Sequence, residues 1–135
     1  MFDATTTTTC GYCGVGCRLE AHTRDGKVAS ISPATDGPAN EGHTCLKGRF
    51  AHQFSRRRDR LMTPLIRENG ELRPATWDEA LDRTVAGFRT ANAAHGPSTF
   101  GIFSCSKATN EVNFAAQKFS RAVLGSNNID SCNRT

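Results

Sequence analysis

Three cysteines fall within eight residues near the start of this chain, in C-G-Y-C-G-V-G-C from Cys10 to Cys17. A fourth, Cys45, returns in T-C-L-K-G-R, so the full arrangement is C-x2-C-x3-C-x27-C. Four thiolates at this density form the ligand set of a cubane [4Fe–4S] cluster, in which each iron takes one cysteine sulfur. The glycines between them suit a loop wrapped around such a body, because they allow close approach and unusual backbone angles.

Two other uses of the same cysteines stand beside this one. A structural zinc ion accepts four cysteines, usually from two separated C-x2-C knuckles rather than three thiols on one side and one alone. A disulfide framework requires an oxidising compartment. The opening M-F-D-A-T-T-T-T-T has neither the charged nor the apolar region of a secretory signal, which points to a reducing, cytoplasmic setting. Cys105 and Cys132 lie outside the cluster, and the default for each is a small buried thiol.

The 135 residues suit one domain, with 37% hydrophobic and 22% charged residues. No apolar run is long enough to span a membrane. The formal charge of +4 is modest. Arg56, Arg57, Arg58 and Arg60 form one basic run without interleaved aromatics, which argues for a solvated turn or an anionic contact and against nucleic acid.

Taken in order, Thr5–Thr9 reads as a strand leading into the cysteine loop. Asp25-Gly26 marks a hairpin between R-L-E-A-H-T and K-V-A-S-I-S. Pro33 to Gly42 reads as loop. A short helix after Cys45 places Leu46, Phe50 and Phe54 at helical spacing. A second hairpin turns at Asn69-Gly70. Thr76 and Glu79 stand in capping-box register before a helix with Trp77, Leu81, Val85 and Phe88 on one face, ending at His95-Gly96-Pro97. Thr99–Ser104 reads as a buried strand, Asn110 as the cap of a further helix ending at Gly125, and N-N-I-D-S-C as another extended stretch. The predicted fold class is α+β: a small β-rich cluster domain over 1–58, then over 59–135 the beginning of an α/β, parallel-sheet domain, left incomplete.

These motifs, in this order, carry a resemblance. C-G-Y-C-G-V-G-C, C-L-K-G-R-F, R-L-M-T-P-L-I-R and P-A-T-W-D-E-A-L resemble the N-terminus of the molybdopterin-dependent oxidoreductases. This group includes formate dehydrogenase catalytic subunits, assimilatory nitrate reductases and one subunit of respiratory complex I. The later stretch from S-K-A-T-N-E-V-N-F to N-N-I-D-S-C-N-R-T is most similar to formate dehydrogenases. The resemblance implies that Cys10, Cys13, Cys17 and Cys45 are the cluster ligands. It implies that Lys47 stands between cluster and pterin to help electrons pass, although on spacing alone Lys47 reads equally as an exposed lysine at a helix start. It also implies that Lys107, Asn110 and Glu111 open a helix whose N–H groups suit a phosphate of the guanine-dinucleotide pterin, where ordinary capping by Asn110 is the plainer alternative.

For the whole enzyme the resemblance implies oxidation of formate to carbon dioxide at a molybdenum or tungsten bis(molybdopterin guanine dinucleotide) centre. Electrons would then pass through the [4Fe–4S] cluster to other electron-transfer subunits. In this family the residue after N-N-I-D-S-C-N-R-T is the metal's cysteine or selenocysteine ligand. The chain ends at Thr135, and a cut at a selenocysteine codon is the expected reason. The 135 residues alone are then expected to be inactive, since His22, His43, His52 and His95 are scattered and form no acid–base pair. The alternatives are an assimilatory nitrate reductase-type piece and a free-standing [4Fe–4S] electron-transfer module.

Overall fold

The structure is a computed structural model that describes residues 1–132. Residues 133–135, which end the stretch expected to precede the metal's protein ligand, lie outside the described residues. The first unit is an antiparallel sheet ordered β1-β2-β3, from β1 (Ala4–Thr9), β2 (Arg18–Arg24) and β3 (Lys27–Pro33). Asp25 and Gly26 both adopt positive φ, 52° and 68°. That is the primed turn whose twist matches a two-residue hairpin. The link between β1 and β2 is the cysteine loop itself. Its neck is closed by the Cys10 N–H donating to the Cys17 carbonyl at 2.8 Å, one step beyond the Thr9–Arg18 pair.

Helix α1 (Leu46–Phe50) follows Cys45 and tightens into a 3-10 turn over Ala51–Arg56. The helical spacing of Leu46, Phe50 and Phe54 does not mark a packed face, because all three are exposed. The buried position is Gly48, which turns toward Cys10 and Leu19. The basic run is largely occupied by its neighbours. Arg56 donates to the Val28 carbonyl at 2.9 Å, Arg57 pairs with Asp59 at 2.9 Å, and the Arg60 guanidinium lies 5.5 Å from the Phe54 ring centroid.

Strands β4 (Leu65–Glu68) and β5 (Glu71–Pro74) form the second hairpin, with Asn69 and Gly70 at positive φ. Helix α2 (Trp77–His95) opens on half of a capping box: the Thr76 hydroxyl accepts from the Glu79 N–H at 3.2 Å. The Glu79 carboxylate does not reach back to complete it. Arg73 holds that carboxylate at 2.6 Å and Glu68 at 2.7 Å, tying the hairpin to the first turn of α2. Gly96 ends the helix at φ 75° and ψ 178°, a region open essentially to glycine alone.

Strands β6 (Ile102–Ser104) and β7 (Ile129–Ser131) pair in parallel, joined by α3 (Asn110–Phe119) and a π turn over Ser120–Leu124. This is the strand–helix–strand start of an α/β layer, as the order of elements predicts. The strand expected over Thr99–Ser104 is shorter than that and is not buried. A 3-10 turn takes up its first residue, and Phe103 is 97% exposed. Side-chain hydroxyls fasten the pair in place of apolar packing. The fully buried Ser120 donates to the Ser126 carbonyl at 2.8 Å, and the Ser126 hydroxyl donates to the Phe100 carbonyl at 2.8 Å while accepting from the Asn128 N–H at 3.1 Å. Large apolar residues of α2 and α3, Trp77, Leu81, Val112 and Phe114 among them, face solvent. No helix among the described residues is long and apolar enough to cross a membrane.

Candidate functional site

The cysteine loop and the Cys45 turn meet because Asn40 joins them. Its Oδ1 accepts from the Arg18 N–H at 2.7 Å, and its Nδ2 donates to the carbonyls of Arg18 (3.2 Å) and His43 (2.7 Å). One side chain thus links the base of the cysteine loop to the segment carrying Cys45. Sequence reasoning missed Asn40, since within a loop rich in Pro, Gly and Asn nothing sets it apart from Asn residues that merely turn the chain.

Electrostatics register the assembly. Burial raises the Cys17 thiol pKa, and the neighbouring Cys10, Cys13 and Cys45 raise it further as like charges. The Cys45 thiol is lowered, because the backbone N–H groups of Gly48 and Lys47 point at its sulfur. The four thiols therefore sense one another. Yet among the described residues no three His, Cys, Asp or Glu side chains converge closely enough to share one metal ion. All six cysteines are free, and none forms a disulfide.

Beside the thiols lies an open cleft of about 540 Å³, walled by Tyr12, Cys13, Cys45 and Lys47 on one side and Lys107, Asn110 and Asn113 on the other. Lys47 extends past Tyr12, its Nζ 5.8 Å from the ring centroid. Its pKa is lowered, first by the Lys107 ammonium within hydrogen-bonding reach, although the Cys45 and Cys13 thiols pull the other way. Two cations thus share one cleft. The expectation for Asn110 needs correcting. Thr109 is the cap of α3, its hydroxyl accepting from the Val112 N–H at 3.4 Å, and Asn110 is the first helical residue. Threonine one position earlier has the extended backbone that a cap needs, which leaves the Asn110 side chain free to meet Gly14. A Cβ on Gly14 would come within 2.6 Å of Asn110 Oδ1, so glycine is what permits this approach.

Glu111 is not drawn into the cleft. Its carboxylate, lowered in pKa, takes its own backbone N–H and the Thr109 hydroxyl. The start of α3 consequently offers fewer free donors than the strand-to-helix pattern implies. The histidines do stay apart from this site. His22 bridges the Thr5 and Ser32 hydroxyls at 2.9 and 2.8 Å within the first sheet, and His52 keeps a buried Nδ1 without a partner among the described residues.

Comparison with known proteins bears on the same two regions. The family model described as molybdopterin oxidoreductase Fe4S4 domain matches residues 3–57, and the one described as molybdopterin oxidoreductase matches residues 60–135. The chain belongs to the molybdopterin oxidoreductase family. Its two matched domains are those of a [4Fe–4S] cluster and a molybdopterin cofactor, the pair that the sequence motifs imply. Among relatives in this family, a Staphylococcus aureus (strain MRSA252) protein provisionally named formate dehydrogenase is 43% identical over 129 residues, covering 96% of this chain and 13% of that protein. The F420-dependent formate dehydrogenase 1 subunit alpha of Methanococcus maripaludis is 45% identical over 127 residues, covering 94% of this chain and 18% of its own length. The chain thus spans less than a fifth of the curated relatives it matches.

Proposed function

We propose that Cys10, Cys13, Cys17 and Cys45 hold the [4Fe–4S] cluster of a formate dehydrogenase, with residues 1–58 as cluster domain and 59–135 as the start of the molybdopterin domain. The observation that carries this is one cleft in which Cys13, Cys45 and Lys47 stand together and Lys107 comes within reach of Lys47 from the opposite wall. When bound, the metal–pterin centre supplies the two-electron chemistry that takes formate to carbon dioxide, and the cluster relays electrons singly. This chain's residues supply position and charge. The N–H groups of Lys47 and Gly48 favour the charged form of the Cys45 sulfur, and such hydrogen bonds tune the potential of a cluster. Lys47, on the side of the thiols that faces the cleft, is the cation on the path between cluster and pterin. Lys107 and Asn110, from the opposite wall, meet the anionic part of the pterin, with Glu111 setting the helix start beneath them.

Electron-transfer subunits receive the electrons, and the enzyme works in the cytoplasm. Alone, the 135 residues do not oxidise formate. The function itself is tested on the full-length gene product, reconstituted anaerobically. Four iron and four sulfide per chain, with a paramagnetic signal that grows on adding formate, support the proposal. Stoichiometric zinc without iron, or a loaded cluster indifferent to formate, overturns it. Lys47→Met should leave iron content unchanged and slow reduction of the cluster by formate.

A further inference from the structure

The two cysteines outside the cluster do not behave as separate buried thiols. Cys105 follows β6 and Cys132 follows β7, and the parallel register ends with Ser104 opposite Ser131, so each cysteine stands one residue beyond the last pair of the ladder. Neighbouring strands lie about 4.8 Å apart, which falls within the Cα separations that disulfides tolerate. The two Sγ atoms are 3.6 Å apart. Cys105 is half-buried and Cys132 exposed, so a small reagent has access.

From this geometry we propose that Cys105 and Cys132 form a reversible dithiol–disulfide site, oxidised by low-molecular-weight disulfides, at the carboxyl ends of the parallel strands. The surroundings suit the chemistry. The Ser106 Oγ lies 3.5 Å from Cys132 Sγ, and the Lys107 N–H donates to Cys105 Sγ at 3.3 Å. Hydrogen bonds from the Ser106 hydroxyl, the Ser106 backbone and the Cys105 thiol bring the Cys132 thiol down to about 7, near the optimum for a thiol that attacks at neutral pH. The Cys132 thiolate attacks the S–S bond of the reagent, forming a mixed disulfide and releasing one thiol. The Cys105 thiolate then displaces the second thiol and closes the Cys105–Cys132 bond. The protein loses two protons and two electrons, and the reagent is reduced to two thiols. Closure fastens the turn carrying Lys107 to the end of β7. It is separate from cluster binding, which uses the other four cysteines.

The test uses the full-length gene product, native and cofactor-loaded, treated with glutathione disulfide, alkylated in denaturant and digested with trypsin without reduction. The expected result is that peptide 90–107, carrying Cys105, is covalently linked to peptide 122–134, carrying Cys132, with both cysteines unalkylated. Dithiothreitol should then release the two peptides. Cys105→Ser should instead leave Cys132 as a glutathione adduct. Full alkylation of both cysteines overturns the proposal, and so do separate glutathione adducts on each in the wild type, or linkage of either to Cys10, Cys13, Cys17 or Cys45.

Discussion

Gly48 offers the sharpest test of how the fold presents its thiols. It is buried on the inner side of α1, and a Cβ built on it would stand 2.7 Å from Thr44 Oγ1, 3.3 Å from Cys10 Sγ and 3.9 Å from Leu19 Cδ1. Two opposing effects decide the outcome of Gly48→Ala. Alanine gains about 1 kcal/mol over glycine in a helix, while an extra methyl in a filled space costs about 1–3 kcal/mol. The Thr44 hydroxyl holds only a long 3.5 Å contact to the Cys45 carbonyl, so it can rotate away. The sulfur of Cys10 is the part that must then give, by a few tenths of an ångström. The net loss in fold stability is therefore small, between about 0 and 2 kcal/mol.

On the proposed ligand assignment the penalty falls on the cluster instead, because a displaced Cys10 thiolate must be drawn back to reach its iron. A cost of 1–2 kcal/mol there weakens cluster retention by about 5–30-fold. Gly11→Ala is the matched control, since nothing lies within 4 Å of its Cβ and its φ is not positive. In the full-length product, iron and sulfide should be lost to a chelator faster from Gly48→Ala than from wild type, with circular dichroism unchanged. Gly11→Ala should behave as wild type. Equal retention in Gly48→Ala, or equal loss in Gly11→Ala, would show that close approach of α1 to Cys10 does not set the ligand position.

Three further outcomes follow from the second half of the chain. Ser126→Ala removes a donor to Phe100 and an acceptor for Asn128; at about 2 kcal/mol, hydrogen exchange of β7 amides should speed up roughly 30-fold, and an unchanged rate refutes the role. Gly96→Ala forces alanine to φ 75° and ψ 178°, costing about 1–3 kcal/mol, visible as faster exchange over the last turn of α2. Arg73 lowers the carboxyl pKa of both Glu68 and Glu79 from 4.5. The unfolded chain then binds more protons below that value, so the contribution is present above pH 4.5 and is lost as the pH falls through the folded pKa values. Arg73→Met should remove part of the acid sensitivity of the β4–β5 hairpin, and an identical acid profile would refute the link.

What could be read in advance depended on whether a residue's job is local. Asp25-Gly26 and Asn69-Gly70 announce their hairpins, because positive φ is a property of the turn alone. The same holds for Thr76, whose hydroxyl serves an N–H three residues on. Spacing failed where partners came from afar. Glu79 stands in capping-box register but goes to Arg73, since a guanidinium outcompetes a backbone N–H for a carboxylate. Asn110 gives way to Thr109 as the cap of α3, a shift of one residue that frees it to meet Gly14. Cys105 and Cys132 look unrelated at a separation of 27 residues until parallel pairing makes them neighbours.

The cleft joins these strands of reasoning. Lys47 arrives on the thiol side because Asn40 and the Cys45 turn place α1 there, and Lys107 arrives on the other because β6 ends where Cys105 begins a turn. Their ammonium groups meet at a cost, seen in the lowered pKa of Lys47. Nothing in either local segment calls for that meeting. An anion between the two lysines would turn the mutual repulsion into two attractions and raise the Lys47 pKa again. On the proposed reading, two cations brought together beside Cys13 and Cys45 suit a negatively charged body held next to the cluster, which is the character of the proposed pterin contact at Lys107 and Asn110.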